Sequence, residues 1–223
     1  MLQTLEHTTG NDPRWAVIWL HGLGADGHDF MPIVPELVRP HWPALRFVFP
    51  HAPVRPITLN NGVPMRAWYD LVSLDFNQRA DASGVAESVE QLEALIAREV
   101  DRGVPVQQIL LAGFSQGGAV ILSAALRRAE PVAGLIALST YLPDPAGAQA
   151  ALVAGATAQP IFMAHGASDP VIPQAIAMHT RDTLQQLGFT IDWHGYPMAH
   201  QVCAEEITAL GDWMEQRFAG TQG

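Results

Sequence analysis

Short apolar runs rich in β-branched and aromatic residues recur along the chain, at Trp15–Leu20, Leu45–Phe49, Ile109–Phe114, Val132–Leu138, Ile161–Ala164 and Phe189–Trp193. Runs of this length and composition predict buried strands. Between them the apolar spacing becomes helical. Val85, Val89, Leu92, Ile96 and Val100 form one stripe, with Asp81 and Ser83 as N-cap candidates and Gly103 as the stop. A second helix is predicted over Ile176–Leu187, ending at Gly188. A third closes the chain, with Ile207, Leu210, Met214 and Phe218 on one face and Glu205, Glu206, Asp212 and Glu215 elsewhere. Strand and helix therefore alternate, which predicts an α/β fold with a mostly parallel central sheet, helices on both faces, and ligands bound where loops leave the carboxyl ends of the strands.

Two stretches fit neither period. His51–Phe76 holds Pro53, Pro56, Pro64, Gly62 and Asn60-Asn61 together with Met65, Trp68, Tyr69, Leu71 and Leu74, and reads as a long functional loop. Ala146–Ala158 is Ala-rich and reads as a helix interrupted at Gly155 or as a mobile segment. No internal repeat or charge block is present.

With 223 residues and 48% hydrophobic content, the chain is expected to form one domain over residues 1–223. Its first fifteen residues lack the basic start, apolar centre and small-residue cleavage site of a secretory signal. No apolar run has the length of a membrane span, and the lone Cys203 excludes an internal disulfide framework. Together these features suit a reducing cytoplasm. A formal net charge of −10 with 12 Lys and Arg disfavours nucleic acid and anionic lipid surfaces as partners.

The strongest chemical signal is Gly113-Phe114-Ser115-Gln116-Gly117-Gly118, a G-x-S-x-G pattern directly after the Ile109–Ala112 run and before a small-residue helical stretch, Gly117–Leu126. Glycines on either side of the serine let a strand reverse sharply into a helix, which lifts the Ser115 hydroxyl above the sheet and frees the Gln116 N–H for an oxyanion. A serine hydroxyl needs a base, and the base needs an orienting carboxylate. Asp169, in the loop after Ile161–Ala164, and His200, after the Phe189–Trp193 run and before the last helix, follow in the order Ser, Asp, His. Asp144 and Asp192 compete for the carboxylate role, the first after the strand ending near Ser139, the second inside a strand. Of the other histidines, His7, His41 and His179 read as surface residues, and His21, His51, His165 and His194 as turn residues explained by hydrogen bonding. Leu23, in the turn His21-Gly22-Leu23-Gly24-Ala25-Asp26-Gly27, is the natural second oxyanion donor. The same letters match G-x-G-x-x-G, but no acidic residue closes a second strand at the spacing a dinucleotide site requires. Cys203 lies one helical turn after His200 and reads as a small buried hydrophobe rather than a nucleophile. No Cys-x-x-Cys or His-Glu-x-x-His spacing occurs, so no metal is expected.

Four ordered segments, the elbow, the glycine turn, His165-Gly166-Ala167-Ser168-Asp169-Pro170-Val171-Ile172-Pro173 and Tyr196-Pro197-Met198-Ala199-His200, make the chain resemble the phospholipase/carboxylesterase family, to which acyl-protein thioesterases also belong. The resemblance runs from about Trp15 to Phe218, and Trp68-Tyr69-Asp70 resembles a family segment beside the substrate channel. Ala199 stands where relatives often carry Gly. The resemblance implies an α/β-hydrolase without a large lid, acting on carboxylic esters or thioesters of simple acyl chains, without a cofactor and commonly as a homodimer. Met65, Trp68, Leu71, Leu74, Tyr141 and Leu142 are available to line an apolar acyl groove. The expected function is that of a serine carboxylesterase for short to medium acyl chains. The alternatives are an acyl-protein thioesterase or lysophospholipase and, in a different class, a non-catalytic binding protein on a hydrolase scaffold.

Overall fold

The structure, a computed structural model, describes residues 2–76 and 78–219. Its strands are β1 (Thr4–Thr8), β2 (Trp15–Leu20), β3 (Leu45–Pro50), β4 (Val54–Ile57), β5 (Val63–Arg66), β6 (Ile109–Phe114), β7 (Gly134–Leu138), β8 (Ile161–Gly166) and β9 (Ile191–Tyr196). Its helices are α1 (Val34–Leu37), α2 (Ala82–Asp101), α3 (Gln116–Ala125), α4 (Ala148–Ala151), α5 (Gln174–Gln186) and α6 (Ala204–Ala219).

Each of the six apolar runs contributes a parallel strand to one seven-stranded sheet of order β1-β3-β2-β6-β7-β8-β9, with β1 antiparallel at one edge. The chain steps from β2 outward to β3 and then crosses to β6 on the other side of β2, so β2 and β6 flank the topological switch point where ligands bind such sheets. Leu20 pairs with Gly113 in the register. The turn after β2 and the turn after β6 therefore leave the sheet side by side.

Alternation along β2 divides the core. Trp15, Val17 and Trp19 pack with α1 and α6, through Val34, Leu37, Leu210, Met214 and Phe218. Ala16, Ile18 and Leu20 pack on the opposite face with Leu92 and Leu95 of α2 and Val120 and Leu122 of α3. Burying both faces is why these strands read as unbroken apolar runs. Among the described residues, no helix is long and apolar enough to cross a membrane.

Several expectations are corrected. Strand β1 carries Glu6, His7 and Thr8 exposed at the sheet edge, so no apolar pattern announces it. The 51–76 stretch contains the two-stranded hairpin β4–β5, in which Pro56 faces Pro64; a strand pair with two free edges tolerates residues that cannot donate. Strand β9 starts at Ile191 because the Phe189 N–H still closes the end of α5 on Leu184 O at 3.1 Å, and it runs on to Tyr196. The Ala-rich 146–158 segment is the short helix α4 followed by a turn, with Gly155 at φ 88°. In α2, Asp81 is the N-cap, accepting from the N–H groups of Ser83 and Gly84, but the buried face ends on Glu99 rather than on Val100, which is 43% exposed. In α6, Glu206 is buried alongside Leu210 and Met214 instead of facing solvent.

Candidate active site

Ser115 stands between β6 and α3 with φ 55° and ψ −117°, a strained conformation for a residue with a side chain. Its neighbours leave no room to relax. A Cβ on Gly117 would lie 2.3 Å from Leu20 O, and one on Gly113 would lie 2.4 Å from the Gly117 carbonyl carbon. The elbow is also tied to the end of β7: the Ser115 N–H donates to Leu138 O at 3.0 Å and the Thr140 hydroxyl donates to Ser115 O at 2.7 Å. Strain held by surrounding packing in this way presents a hydroxyl above the sheet.

The loops after β8 and β9 bring the other two groups to it. His200 Nε2 is 3.0 Å from Ser115 Oγ, and His200 Nδ1 is 2.7 Å from Asp169 Oδ2. The other oxygen of Asp169 accepts from the N–H groups of Val171 and Ile172 at 2.8 and 2.9 Å, so the carboxylate is fully engaged in one orientation. With Nδ1–H given to Asp169, Nε2 keeps the lone pair that faces the serine. His165 supports the same loop. It is fully buried, donates from Nε2 to Ile172 O at 2.8 Å and lies 3.4 Å from Asp169 Oδ2. Burial pulls its imidazole below the ordinary value, in the direction of the neutral form. The rival carboxylates lie elsewhere: Asp144 accepts from the Gly147 N–H before α4, and Asp192 pairs with His194 on β9.

Leu23 sits in the turn that β2 projects beside the elbow; a Cβ on the adjacent Gly22 would come within 3.4 Å of Ser115 Cβ. Among the described residues, neither the Leu23 N–H nor the Gln116 N–H has an acceptor. Gln116 begins α3, where backbone donors have no partner within the helix. His21 holds the turn from below, donating from Nδ1 to Gly22 O at 2.7 Å and accepting at Nε2 from the Ala52 N–H at 3.0 Å. Burial lowers its pKa too, consistent with the neutral tautomer those two bonds need.

Ser115, Gln116, His200 and Leu23 open onto a cavity of about 330 Å³. Of the six residues expected along an acyl groove, Leu71 and Tyr141 line it. The remaining four have other surroundings. Trp68 is buried, its indole N–H donating to His21 O at 2.8 Å and its backbone N–H to Gln116 Oε1 at 3.0 Å. The Met65 sulfur lies 3.8 Å from the point a Cβ on Gly24 would occupy, against the outside of the glycine turn. Leu142 lines a separate cavity of about 100 Å³ between α2, α3 and α4. Leu74 is 78% exposed.

Phe114, Val171, Ile172 and Arg79 also line the cavity beside Ser115, and no motif in the sequence marks them for it. Phe114 is the variable letter inside the elbow, and its ring lies 4.8 Å from that of His200. Val171 and Ile172 follow Asp169-Pro170, so the sequence marks their segment without marking their place on the cavity. The Gln116 side chain was also overlooked: it accepts from Trp68 N and donates to Tyr69 O at 2.9 Å, fastening the 68–69 segment to the elbow.

Asp26, His28 and His51 have ligand-type atoms within 4.8 Å of one another. His28 Nδ1 is 2.9 Å from Asp26 Oδ1, and His51 Nδ1 accepts from the Gly27 N–H at 3.1 Å, which places the proton of the neutral His51 ring on Nε2 and leaves that ring without a free lone pair.

Residues 7–217 match the phospholipase/carboxylesterase family. The chain is 37% identical over 219 residues to acyl-protein thioesterase 1 of Neurospora crassa, covering 91% of this chain and 86% of that protein. It is 35% identical over 223 residues to acyl-protein thioesterase 1 of Mycosarcoma maydis, covering 93% of each. Among solved structures, SOBER1 of Arabidopsis thaliana superposes with a TM-score of 0.85 at 29% identity, over 92% of this chain and 99% of that one.

Proposed function

The chain belongs to the phospholipase/carboxylesterase family of α/β-hydrolases and is an esterase or thioesterase, and from that premise we propose that it is a serine carboxylesterase working through an acyl-enzyme. The observation that carries this reading is the unbroken contact from Ser115 Oγ through His200 to Asp169, at 3.0 and 2.7 Å. Ser115 Oγ attacks the acyl carbon while its proton passes to His200 Nε2. The same proton goes to the departing alkoxide or thiolate as the acyl–oxygen or acyl–sulfur bond breaks. Water then enters with His200 again as base, and the acid leaves as Ser115 regains its proton. Asp169 keeps the imidazole oriented and stabilises its cationic form. The Leu23 and Gln116 N–H groups receive the tetrahedral oxygen, each such donor being worth about 10²–10³ in rate.

A cavity of about 330 Å³ lies at the small end of the ~300–1,000 Å³ typical of ligand pockets, which supports acyl chains of short to medium length. The thioesterase relatives support a second reading, in which the acyl group arrives on a protein cysteine; an acyl-chain series of oxygen esters and matching thioesters separates the two. One seven-stranded sheet through the whole described chain supports a single domain. Self-association as a homodimer is supported by the apolar side chains exposed on the 54–74 segment.

Ser115→Ala is expected to lower kcat for a short-chain aryl ester by about 10⁶ and to abolish labelling by a fluorophosphonate probe. Undiminished turnover in that variant would remove Ser115 from the mechanism.

A further inference from the structure

Arg79 leads into α2, and its backbone carbonyl accepts from the Val72 N–H at 2.8 Å beside the bridge between Leu71 and Ala80. Those contacts fix the residue at the wall of the catalytic cavity, which its side chain lines together with Tyr141 and Ser115. The 12 basic residues of the chain are all arginines. Eight of them pair with carboxylates. Arg66 and Arg127 donate to the carbonyls of Ala52 and Ser123, and Arg217, which like Arg79 has a ring contact, over Trp213, does not line the cavity. Among the described residues the Arg79 guanidinium has no carboxylate or carbonyl acceptor. Its contact is the Phe76 ring, 4.6 Å from Cζ to centroid, which satisfies one face of the cation and none of its N–H groups.

A second donor faces the same space. The buried Tyr69 and Tyr141 hydroxyls are 3.0 Å apart, and their mutual bond consumes only one of two protons. Tyr69 is fully enclosed and has no other acceptor among the described residues, so the arrangement that wastes nothing has Tyr69 donating to Tyr141 and Tyr141 donating into the cavity. Asp29 borders the cavity from the turn that follows β2, on a different element from Arg79. The pocket is thus polarised, with a carboxylate beside the glycine turn and an unneutralised guanidinium beside Leu71.

We propose that Arg79, with the Tyr141 hydroxyl, recognises an anionic group, carboxylate or phosphate, carried by the substrate, so that the preferred ester or thioester is itself negatively charged. The inference rests on the hydrolase reading above. Planar guanidinium donors match both oxyanions, and such charge-assisted bonds form where the cation has no internal competitor.

Two matched pairs of esters test it and locate the anion. On the acyl side, 4-nitrophenyl hemiadipate is compared with 4-nitrophenyl hexanoate. On the leaving-group side, the butyrate ester of 4-hydroxybenzylphosphonate is compared with that of its neutral dimethyl phosphonate. The quantity read is the ratio of kcat/KM, anionic over neutral, within each protein. In the wild type at least one pair is expected to favour the anion by on the order of tenfold or more. Arg79→Gln should bring that ratio to near one, Arg79→Lys should restore part of it, and 0.5 M salt should reduce it. A ratio at or below one for both pairs in the wild type, or a preference that survives Arg79→Gln, overturns the proposal. Absence of turnover and of fluorophosphonate labelling would count against the hydrolase reading alone. Calorimetric titration with adipate then decides for Arg79: binding lost in Arg79→Gln supports the assignment, and equal or absent binding in both proteins refutes it.

Discussion

Glu206 shows how much a single side chain can hide. It lies in the first turn of α6, is 1% exposed, and among the described residues neither carboxyl oxygen has a partner at good hydrogen-bond geometry; the Cys203 backbone N–H, which acts weakly to lower its pKa, and the Tyr196 phenol are polar groups nearby. Burial pushes its carboxyl up from 4.5 to about 7. The unfolded chain releases this proton near pH 4.5 whereas the folded protein holds it to about pH 7, so the associated stability is complete below 4.5 and is lost as pH rises through 7. The rise corresponds to about 3 kcal/mol. Glu206→Gln is accordingly expected to raise Tm at pH 8 by roughly 5–10 °C and to change it little at pH 4.5, a difference that thermal denaturation at the two pH values measures directly. Equal effects at both would show that the carboxyl is not held protonated. The position was legible in spacing, since 206, 210 and 214 recur every four residues, but the charge of the residue argued for solvent. That Ser115, Asp169 and His200 come together was more legible, because each stands in a loop at a strand end where its identity has no packing explanation. Arg79 was not, because an arginine in a polar loop carries no signal until the partners it lacks can be counted.

At the scale of elements, the site depends on two adjacent turns leaving β2 and β6. Their neighbourhood follows from the Leu20–Gly113 register, and their separation is set by Gly117, whose missing side chain lets α3 approach Leu20 O. His21 positions the first turn through both ring nitrogens without touching the reacting atoms. His21→Ala should therefore lower kcat by about 10–100-fold, as expected when an oxyanion donor is misplaced rather than deleted, with KM changing by less. Steady-state kinetics on a folded variant reads that split, and a loss confined to KM would reassign His21 to binding. Helix α2 carries a similar contrast between pattern and packing. Its stripe of Val85, Val89, Leu92 and Ile96 continues onto Glu99, not Val100, because Arg46 of β3, Arg98 of α2 and Arg102 at its C-cap converge on that carboxylate and let it be buried. Arg98 and Arg102 also reach Glu6 of β1. The edge strand is thus fastened by ion pairs that no hydrophobic period announces, which is why β1 escaped the sequence while the apolar strands did not.

Over the whole molecule, alternation of buried runs and amphipathic stripes was enough to specify a parallel sheet and the strand ends at which chemistry collects. It could not specify the excursion between β3 and α2, where prolines, asparagines and apolar residues mix. In the structure this excursion has an inward and an outward face. Trp68 and Tyr69 turn inward and bind the Gln116 side chain, while Val54, Val63, Val72 and Leu74 stay 62, 50, 45 and 78% exposed. The stretch from Thr58 to Pro64 contains no charged residue, although the chain as a whole carries −10. Two copies meeting there would avoid the repulsion that their net charge imposes elsewhere, and each would cover apolar surface that water otherwise contacts. A self-complementary contact of this kind closes at two copies. Sedimentation velocity should then find a dimer in the wild type and a monomer in the double variant Val63→Asp, Leu74→Asp, since four carboxylates would have to be buried together across the contact. Because neither Leu74 nor Val63 lines the cavity beside Ser115, hydrolysis by the monomer measures whether one copy is a complete enzyme. A wild-type protein that sediments as a monomer at micromolar concentration would leave the exposed hairpin without this role.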